Sequence, residues 1–476
     1  MNTFANAVIN QFTVTENGMP ARVSTANACV DLFYKIGASR GKDVIPNFVA
    51  AYVEDQDIAL RIAQWSRDVR GGAGERQIFR NILKYLETNV DNRILSALLR
   101  KVPEIGRWDD LLCLETPYAK NYAFALISNA LEAGNGLCAK WMPREKSSNH
   151  TVATELRKFM GLSPRSYRKL LVDLTKVVES QMCGNDWDEI NFSHVPSLAH
   201  ARYKKAFNKH TPKYAEYVAK LVAGDKDVKV NASTAVYPYD VLKGYCGSYA
   251  DKHPKTENDL TIQQWNALVN FIGDANILPM VDVSGSMSCS VGNNKNLDCM
   301  TVAISLGLYM ADKNTGKFKD TFLTFSGKPD LVTLQGNILQ KVQQMSTSKW
   351  AMNTDLESAI ATILRVAIEG KVPASEMPKA LVVLSDMQFD RCTRLNDSAM
   401  DMMRRMYAEA GYEIPMIVFW NLNSYENAPA KFDERGVVLI SGFSPAVMKA
   451  VLKADFSDLT PEALMLNVIM IDRYSL

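Results

Sequence analysis

The chain has 476 residues, and 54 Lys and Arg against 52 Asp and Glu leave a formal net charge of +2. That length predicts two or three domains, and the near-zero balance excludes a wholly basic nucleic-acid binder while permitting a basic face compensated elsewhere. No apolar run reaches the roughly eighteen residues of a membrane span, the start lacks the order of a secretory leader, and the eight cysteines form no CxxC pair. Membrane, disulfide-scaffold and zinc-ribbon classes therefore drop out, and a cytoplasmic chain with reduced thiols is expected.

To about residue 275, apolar residues recur at helical spacing. Ile58, Ile62, Trp65 and Val69 form one face; Ile78, Ile82, Tyr85 and Leu86 the next; then Ile94, Leu95, Leu98 and Leu99, and Tyr122, Leu126, Ile127 and Leu131. Leu170, Leu171, Leu174, Val177 and Val178 follow, then Tyr214, Tyr217, Val218 and Leu221. Short breaker-rich separators, such as Gly71 to Gly74, Lys101-Val102-Pro103 and Ala133 to Gly136, predict tight turns. Stacked helix pairs of the HEAT type, a ring or solenoid, are the expected arrangement, although no clean period runs through the sequence.

Three features of this half bear on binding. Arg67, Arg70 and Arg76 bracket the glycine turn, where amides at a helix start could meet a phosphate; the spacing is not GxGxxG and no strand precedes it, so a plain turn is the competing reading. Residues 1–275 carry 35 Lys and Arg against 30 Asp and Glu, a mild excess concentrated in two stretches. One holds Arg157, Lys158, Arg165, Arg168 and Lys169 with Tyr167. The other holds Arg202, Lys204, Lys205, Lys209, Lys213 and Lys220 with Tyr203, Phe207, Tyr214 and Tyr217. Such patterns suit phosphates and stacked bases, or simply a solvated face backed by a buried one. Trp108 with Asp109 and Asp110 predicts a helix start with the indole packed inside. His194 and His200, with no Cys or Glu at ligand spacing, read as ordinary polar residues.

From about residue 277 the texture changes. Short apolar runs at Ile277–Val283, Thr321–Phe325, Ala380–Leu384, Pro415–Trp420 and Val437–Ile440 alternate with helical stretches at Met300–Met310, Leu356–Ile368 and Ser398–Ala410. This predicts a doubly wound, mostly parallel α/β sheet in residues 276–476, after a helical domain spanning 1–275 that closes with a Gln263–Ile272 helix.

The strongest chemical pattern is Asp282-Val283-Ser284-Gly285-Ser286 at the end of the first run. Three oxygen-bearing side chains alternate along a tight loop at a strand's carboxyl end, where open α/β sheets bind ligands. Thr354, just before the 356–368 helix, and Asp386, after the 380–384 strand, would join them if those strands are neighbours. Oxygen-only donors with two or three hydroxyls favour a hard cation such as Mg²⁺. The competing reading is a polar loop whose side chains cap helices. Catalysis is not expected: the second acid of aspartate-nucleophile phosphotransferases is replaced by Ser284, no GxSxG or GxxxxGK[ST] occurs around these residues, and all five histidines lie in the helical half.

The DxSxS, Thr and Asp pieces, in this order on these elements, resemble the metal-ion-dependent adhesion site of von Willebrand factor A domains. That resemblance implies Asp282, Ser284, Ser286, Thr354 and Asp386 as the metal site, with one position open to an acidic ligand. The helical half, through Arg67–Arg76, Gly106–Leu112, Ala139–Pro143, Tyr167–Leu170, Trp187, Val195–Ser197 and Tyr203–Phe207, is similar to the TROVE module of Ro ribonucleoproteins, and to their Ro-like branch in plants, bacteria and viruses. It covers roughly residues 20 to 450. It implies a non-enzymatic small-RNA scaffold or chaperone that binds single-stranded or structured RNA, with Arg67, Arg70, Arg76, Arg165, Arg168, Lys169, Lys204, Lys205 and Lys209 as candidate contacts. The A domain would recruit a protein partner. The alternative is a protein-interaction scaffold that uses the metal site without RNA. A monomer is expected in either case.

Overall fold

The computed structural model describes residues 12–232, 236–252, 258–292, 294–325, 328–347, 355–390, 398–423, 427–452 and 459–476. They form two compact units. The first draws on 1–62, 71–73 and 232–473; the second on 63–70, 74–231 and 474–476. This partition differs from the expected division at 275/276, because N-terminal elements pack with the sheet. The reason lies in specific contacts within the first unit. The hairpin of β1 (Phe12–Val14) and β2 (Pro20–Arg22) sends Thr15 Oγ1 to Phe389 O at 2.6 Å, and Arg22 N–H to Ala428 O at 3.0 Å. The Ala28–Ile36 helix ends at Gly37, whose N–H donates to Ser441 Oγ at 3.0 Å, while that hydroxyl donates to Phe33 O at 3.2 Å.

The centre of this unit is a six-stranded sheet. Its strands are β3 (Ile277–Asp282), β6 (Thr321–Phe325), β7 (Leu331–Thr333), β8 (Ala380–Ser385), β9 (Met416–Asn421) and β10 (Val437–Ser441), in the order β10-β9-β8-β3-β6-β7. All pair in parallel except β6 with β7. Strands β3, β6, β8, β9 and β10 are buried throughout, which is why they read as continuous apolar runs rather than alternating ones. Helices Cys299–Lys313, Leu356–Glu369 and Ala399–Glu409 agree with the expected ones to within a few residues. The sequence reading missed β7 and two hairpins, β1–β2 and the small β4 (Ser290–Val291) with β5 (Asn294–Asp298). The helix expected at Gln263–Ile272 spans Asp259–Asn266 instead.

The second unit is helical. Its apolar periods fall where they should: Ile78, Phe79, Ile82, Leu83 and Leu86 are buried on the Arg76–Asn89 helix, and Leu171 and Tyr167 on Pro164–Leu174. Side-chain caps start several helices, Asp91 accepting from Arg93 N–H, Asn135 from Cys138 N–H and Ser163 from Ser166 N–H. Two expectations need correction. Lys101-Val102-Pro103 is not a separator, because the Asn92–Ile105 helix runs through Pro103. Pro103 sits in the last turn, and burial of Val102 and Ile105 holds that turn helical despite the missing donor. Val177 and Val178 do not continue the preceding helix, which ends at Leu174; Val178 begins a separate helix ending at Gly184.

Candidate metal centre

Strand β3 connects onward to β6 on one side, and β8 connects to β9 on the other, so the strand order reverses between β3 and β8. The crevice at the carboxyl ends of two such strands is the general ligand position of open α/β sheets. Val281 lies opposite Leu384 in the parallel ladder, which puts Asp282 beside Ser385. Ser385 Oγ donates to Asp282 Oδ2 at 2.5 Å, and Asp282 Oδ1 accepts from Ser284 N–H at 2.8 Å. Ser284 stands at the start of a short 3₁₀ turn, Gly285–Ser288, yet its side chain does not cap it. Its Oγ lies 3.0 Å from Ser286 Oγ instead, against the capping alternative for this serine.

Asp386 follows β8 directly. Met387 has φ +65°, left-handed for a non-glycine residue, and its N–H donates to Ser385 Oγ at 3.0 Å. Gln388 N–H donates to Asp386 Oδ1 at 3.2 Å, while Asp386 Oδ2 is buried with no hydrogen-bond partner among the described residues. Asp282, Ser284, Asp386 and Ser385 are buried, and Ser286 is partly exposed. Burial, then the Asp386 charge, pushes the Asp282 carboxyl well above the ordinary carboxylate range. Burial also raises Asp386, opposed by the nearby Ser286 hydroxyl and the Gln388 N–H. Two buried carboxyls with one oxygen unsatisfied are costly alone, and a hard divalent cation would supply the missing partner.

The structure therefore brings Asp282, Ser284, Ser286 and Asp386 to one rim. Thr354 lies outside the described residues. Sequence reasoning missed Ser385, which orients Asp282; its only signal was a hydroxyl at a strand end beside an aspartate. Among the described residues no cluster of three or more His, Cys, Asp and Glu could hold a metal, and here two of the four candidate donors are serines. No helix among them is long and apolar enough to cross a membrane.

The candidate RNA contacts divide. Arg67 is 1% exposed, its Nε bonded to Asp110 Oδ2 at 2.7 Å, so it is an internal cation and not a surface one. Asp110 also binds Arg80 at 2.8 Å, and Asp109 binds Arg107 at 2.8 Å. The acids after Trp108 thus hold arginines as well as opening a 3₁₀ turn, and Trp108 is only half-buried. Arg70 is exposed and donates to Glu104 O at 2.8 Å; Arg76 is exposed, and partial burial with the like charges of Arg107 and Arg80 lowers its pKa. Arg165, Arg168, Lys169, Lys205 and Lys209 are exposed and Lys204 half-buried, none in an ion pair with a described residue. Most of the aromatic partners are not on offer: Tyr167, Phe207, Tyr214 and Tyr217 are buried, while Tyr203 is half-buried with its hydroxyl donating to Glu179 Oε1 at 3.1 Å. His200 is not an ordinary polar residue but joins that core, fully buried, with Nε2 2.9 Å from Phe192 O.

A family model described as a domain of unknown function, DUF7788, matches residues 276–468, and another, DUF2828, matches 15–100 and 127–278. Uncharacterized protein L728 of Acanthamoeba polyphaga mimivirus is 31% identical over 514 aligned residues, spanning 96% of this chain and 86% of the viral protein. Because the DUF2828 model covers half of the chain and the similarity to the viral protein runs along nearly its whole length, the chain belongs to the DUF2828 family and is a relative of that protein, with a DUF7788 match over its sheet.

Proposed function

We propose that the sheet-containing unit is a von Willebrand factor A-type module that holds Mg²⁺ without catalysis and recruits an acidic partner, while the helical unit binds RNA. The observation that carries the metal reading is the rim at the β3–β8 switch: Asp282, Ser284, Ser286 and Asp386 present oxygens together, and Asp386 Oδ2 is buried without a partner. A bound cation would neutralise the two carboxylates and leave a position for a partner's carboxylate. Ser385 and the Ser284 N–H orient Asp282 for this, and the Gln388 N–H orients Asp386. For RNA, the support is the exposed arginines and lysines of the Pro164–Leu174 and Ser197–His210 helices. The second reading, a protein scaffold without RNA, is favoured by the burial of Arg67 and of Tyr167, Phe207, Tyr214 and Tyr217, four of the aromatic residues that would have stacked on bases.

Thermal unfolding with and without Mg²⁺ tests the metal. A cation at a hundred times its Kd stabilises the native chain by about 2.7 kcal/mol. The wild-type Tm should rise accordingly, and Asp282→Asn should abolish the rise. Equal shifts in both proteins, or none in the wild type, would overturn the site.

A further inference from the structure

Cys289 and Cys299 stand at the base of the β4–β5 hairpin. Ser290 pairs with Asp298 in that ladder, and one step outward Cys299 N–H donates to Cys289 O at 3.1 Å. Their Sγ atoms are 3.4 Å apart. Among the described residues no other two cysteine sulfurs are in contact, and Cys183 is exposed by itself. Directly opposed residues of an antiparallel ladder have Cα atoms about 4.5–5.5 Å apart, inside the span a disulfide bridges. Closing the bond to its length of about 2.05 Å needs a small approach of two side chains and no rearrangement of the backbone.

The surroundings hold both sulfurs and leave Cys289 the more exposed of the two. Asn423 Nδ2 donates to Cys289 Sγ at 3.2 Å, and Cys299 Sγ donates to Leu422 O at 3.3 Å, both from the loop after β9. Cys289 is half-buried and Cys299 buried. A cleft of about 190 Å³ reaches Cys299 and is lined also by Arg40, Lys42, Ser290 and Asn423. Lys42 Nζ donates to Asn423 Oδ1 at 2.9 Å, and Arg40 lies over the Phe443 ring at 4.4 Å.

We infer that Cys289 and Cys299 are a reversible redox pair, closed to an intramolecular disulfide by exchange with a small disulfide at the half-buried Cys289. Cys289, the more exposed thiol, attacks as its thiolate on one sulfur of the small disulfide and expels one thiolate, which takes up a proton. Cys299 then gives up its proton, attacks Cys289 Sγ in the mixed disulfide and expels the second thiolate. Two protein thiols and one small disulfide become one protein disulfide and two small thiols. Cys289 N–H donates to Ser286 O at 3.2 Å, so closure ties the end of the Asp282–Ser286 loop to the first turn of the Cys299–Lys313 helix. The inference is independent of the metal reading, because the pair closes whether or not a cation is bound.

The test equilibrates the full chain with mixtures of reduced and oxidised glutathione, quenches with iodoacetamide under denaturing conditions, and maps peptides by mass spectrometry. The expected product is lighter by about 2 Da before alkylation, carries two fewer alkylated cysteines, yields a Cys289–Cys299 cross-linked peptide, and reverts with excess thiol. Cys289→Ser and Cys299→Ser should each lose that peptide. Wild-type protein that stops at a glutathione adduct on Cys289 with Cys299 still alkylated, or that keeps both thiols free under full oxidation, overturns the pair. That map is read on wild-type protein, so the answer does not depend on the variants folding.

Discussion

The imidazole of His200 is fully buried and stacks on Tyr217 at 5.3 Å between centroids and on Tyr214 at 5.7 Å. Its Nε2 faces the Phe192 carbonyl, which can only accept, so the proton sits on Nε2; Nδ1 is buried with no partner. Burial lowers the pKa of the ring and outweighs the opposing bond to Phe192. An unfolded histidine takes up its proton near pH 6.5. The folded ring stays neutral to lower pH. Stability is therefore fully present above about pH 6.5 and falls as the pH drops below it. One such site gives a slope of at most about 1.4 kcal/mol per pH unit. Urea unfolding between pH 7.5 and 5 should show a steeper acid loss in wild type than in His200→Phe, and parallel curves would exclude this role. The residue also shows what a sequence hides. Asp282, Ser284 and Ser286 were legible because their alternation after an apolar run has few other uses. Arg67 and His200 were not, because a polar residue on an amphipathic helix is read as solvated until its partners, here Asp110 and the Phe192 carbonyl, arrive from segments far along the chain or from a neighbouring turn.

At the scale of elements, the metal rim depends on how the Cys299–Lys313 helix meets β3. Gly307 lies on that helix against the strand, and a Cβ placed there would come within 2.4 Å of Val281 Cγ2. Val281 immediately precedes Asp282, so a side chain at 307 presses on the end of β3. Gly307→Ala should cost about 1–3 kcal/mol by overpacking and reduce the Mg²⁺-induced rise in Tm, since the strain falls beside a donor. Urea denaturation with and without Mg²⁺ measures both; unchanged stability would mean that helix and strand can separate freely. The five long parallel strands were readable because burial on both faces leaves an uninterrupted apolar run. Strand β7 and the two hairpins were not, because β1, β2, β4 and β7 have only two or three residues and β5 is mostly exposed, so no apolar run marks them. No individual face was read for the Ala28–Ile36 and Ile45–Glu54 helices, and the packing of the first against the sheet was not foreseen. An amphipathic face says that a helix is covered, and only tertiary contacts such as Gly37 with Ser441 say by what.

At the scale of the whole molecule, the choice between RNA and a protein partner turns on charge. The net charge is +2, so any attraction for a polyanion must be local. Lys204, Lys205 and Lys209 lie on the Ser197–His210 helix, whose Phe207 is buried and whose Tyr203 is half-buried, so little aromatic surface lies beside these cations. Their contact with RNA would be mainly through phosphate, independent of sequence, and accompanied by release of counterions. Each phosphate neutralised on a single strand contributes about 0.7 to the slope of log affinity against log salt. Reversing all three, Lys204→Glu, Lys205→Glu and Lys209→Glu, should therefore flatten that slope by about 2 and weaken binding of single-stranded RNA most at low salt. These side chains are surface-facing and free of ion pairs with described residues, so the variant should keep the wild-type Tm. Fluorescence anisotropy with a labelled oligonucleotide across salt concentrations gives both quantities. An unchanged slope and affinity would remove this helix from the RNA reading and leave the metal rim as the place where a partner engages.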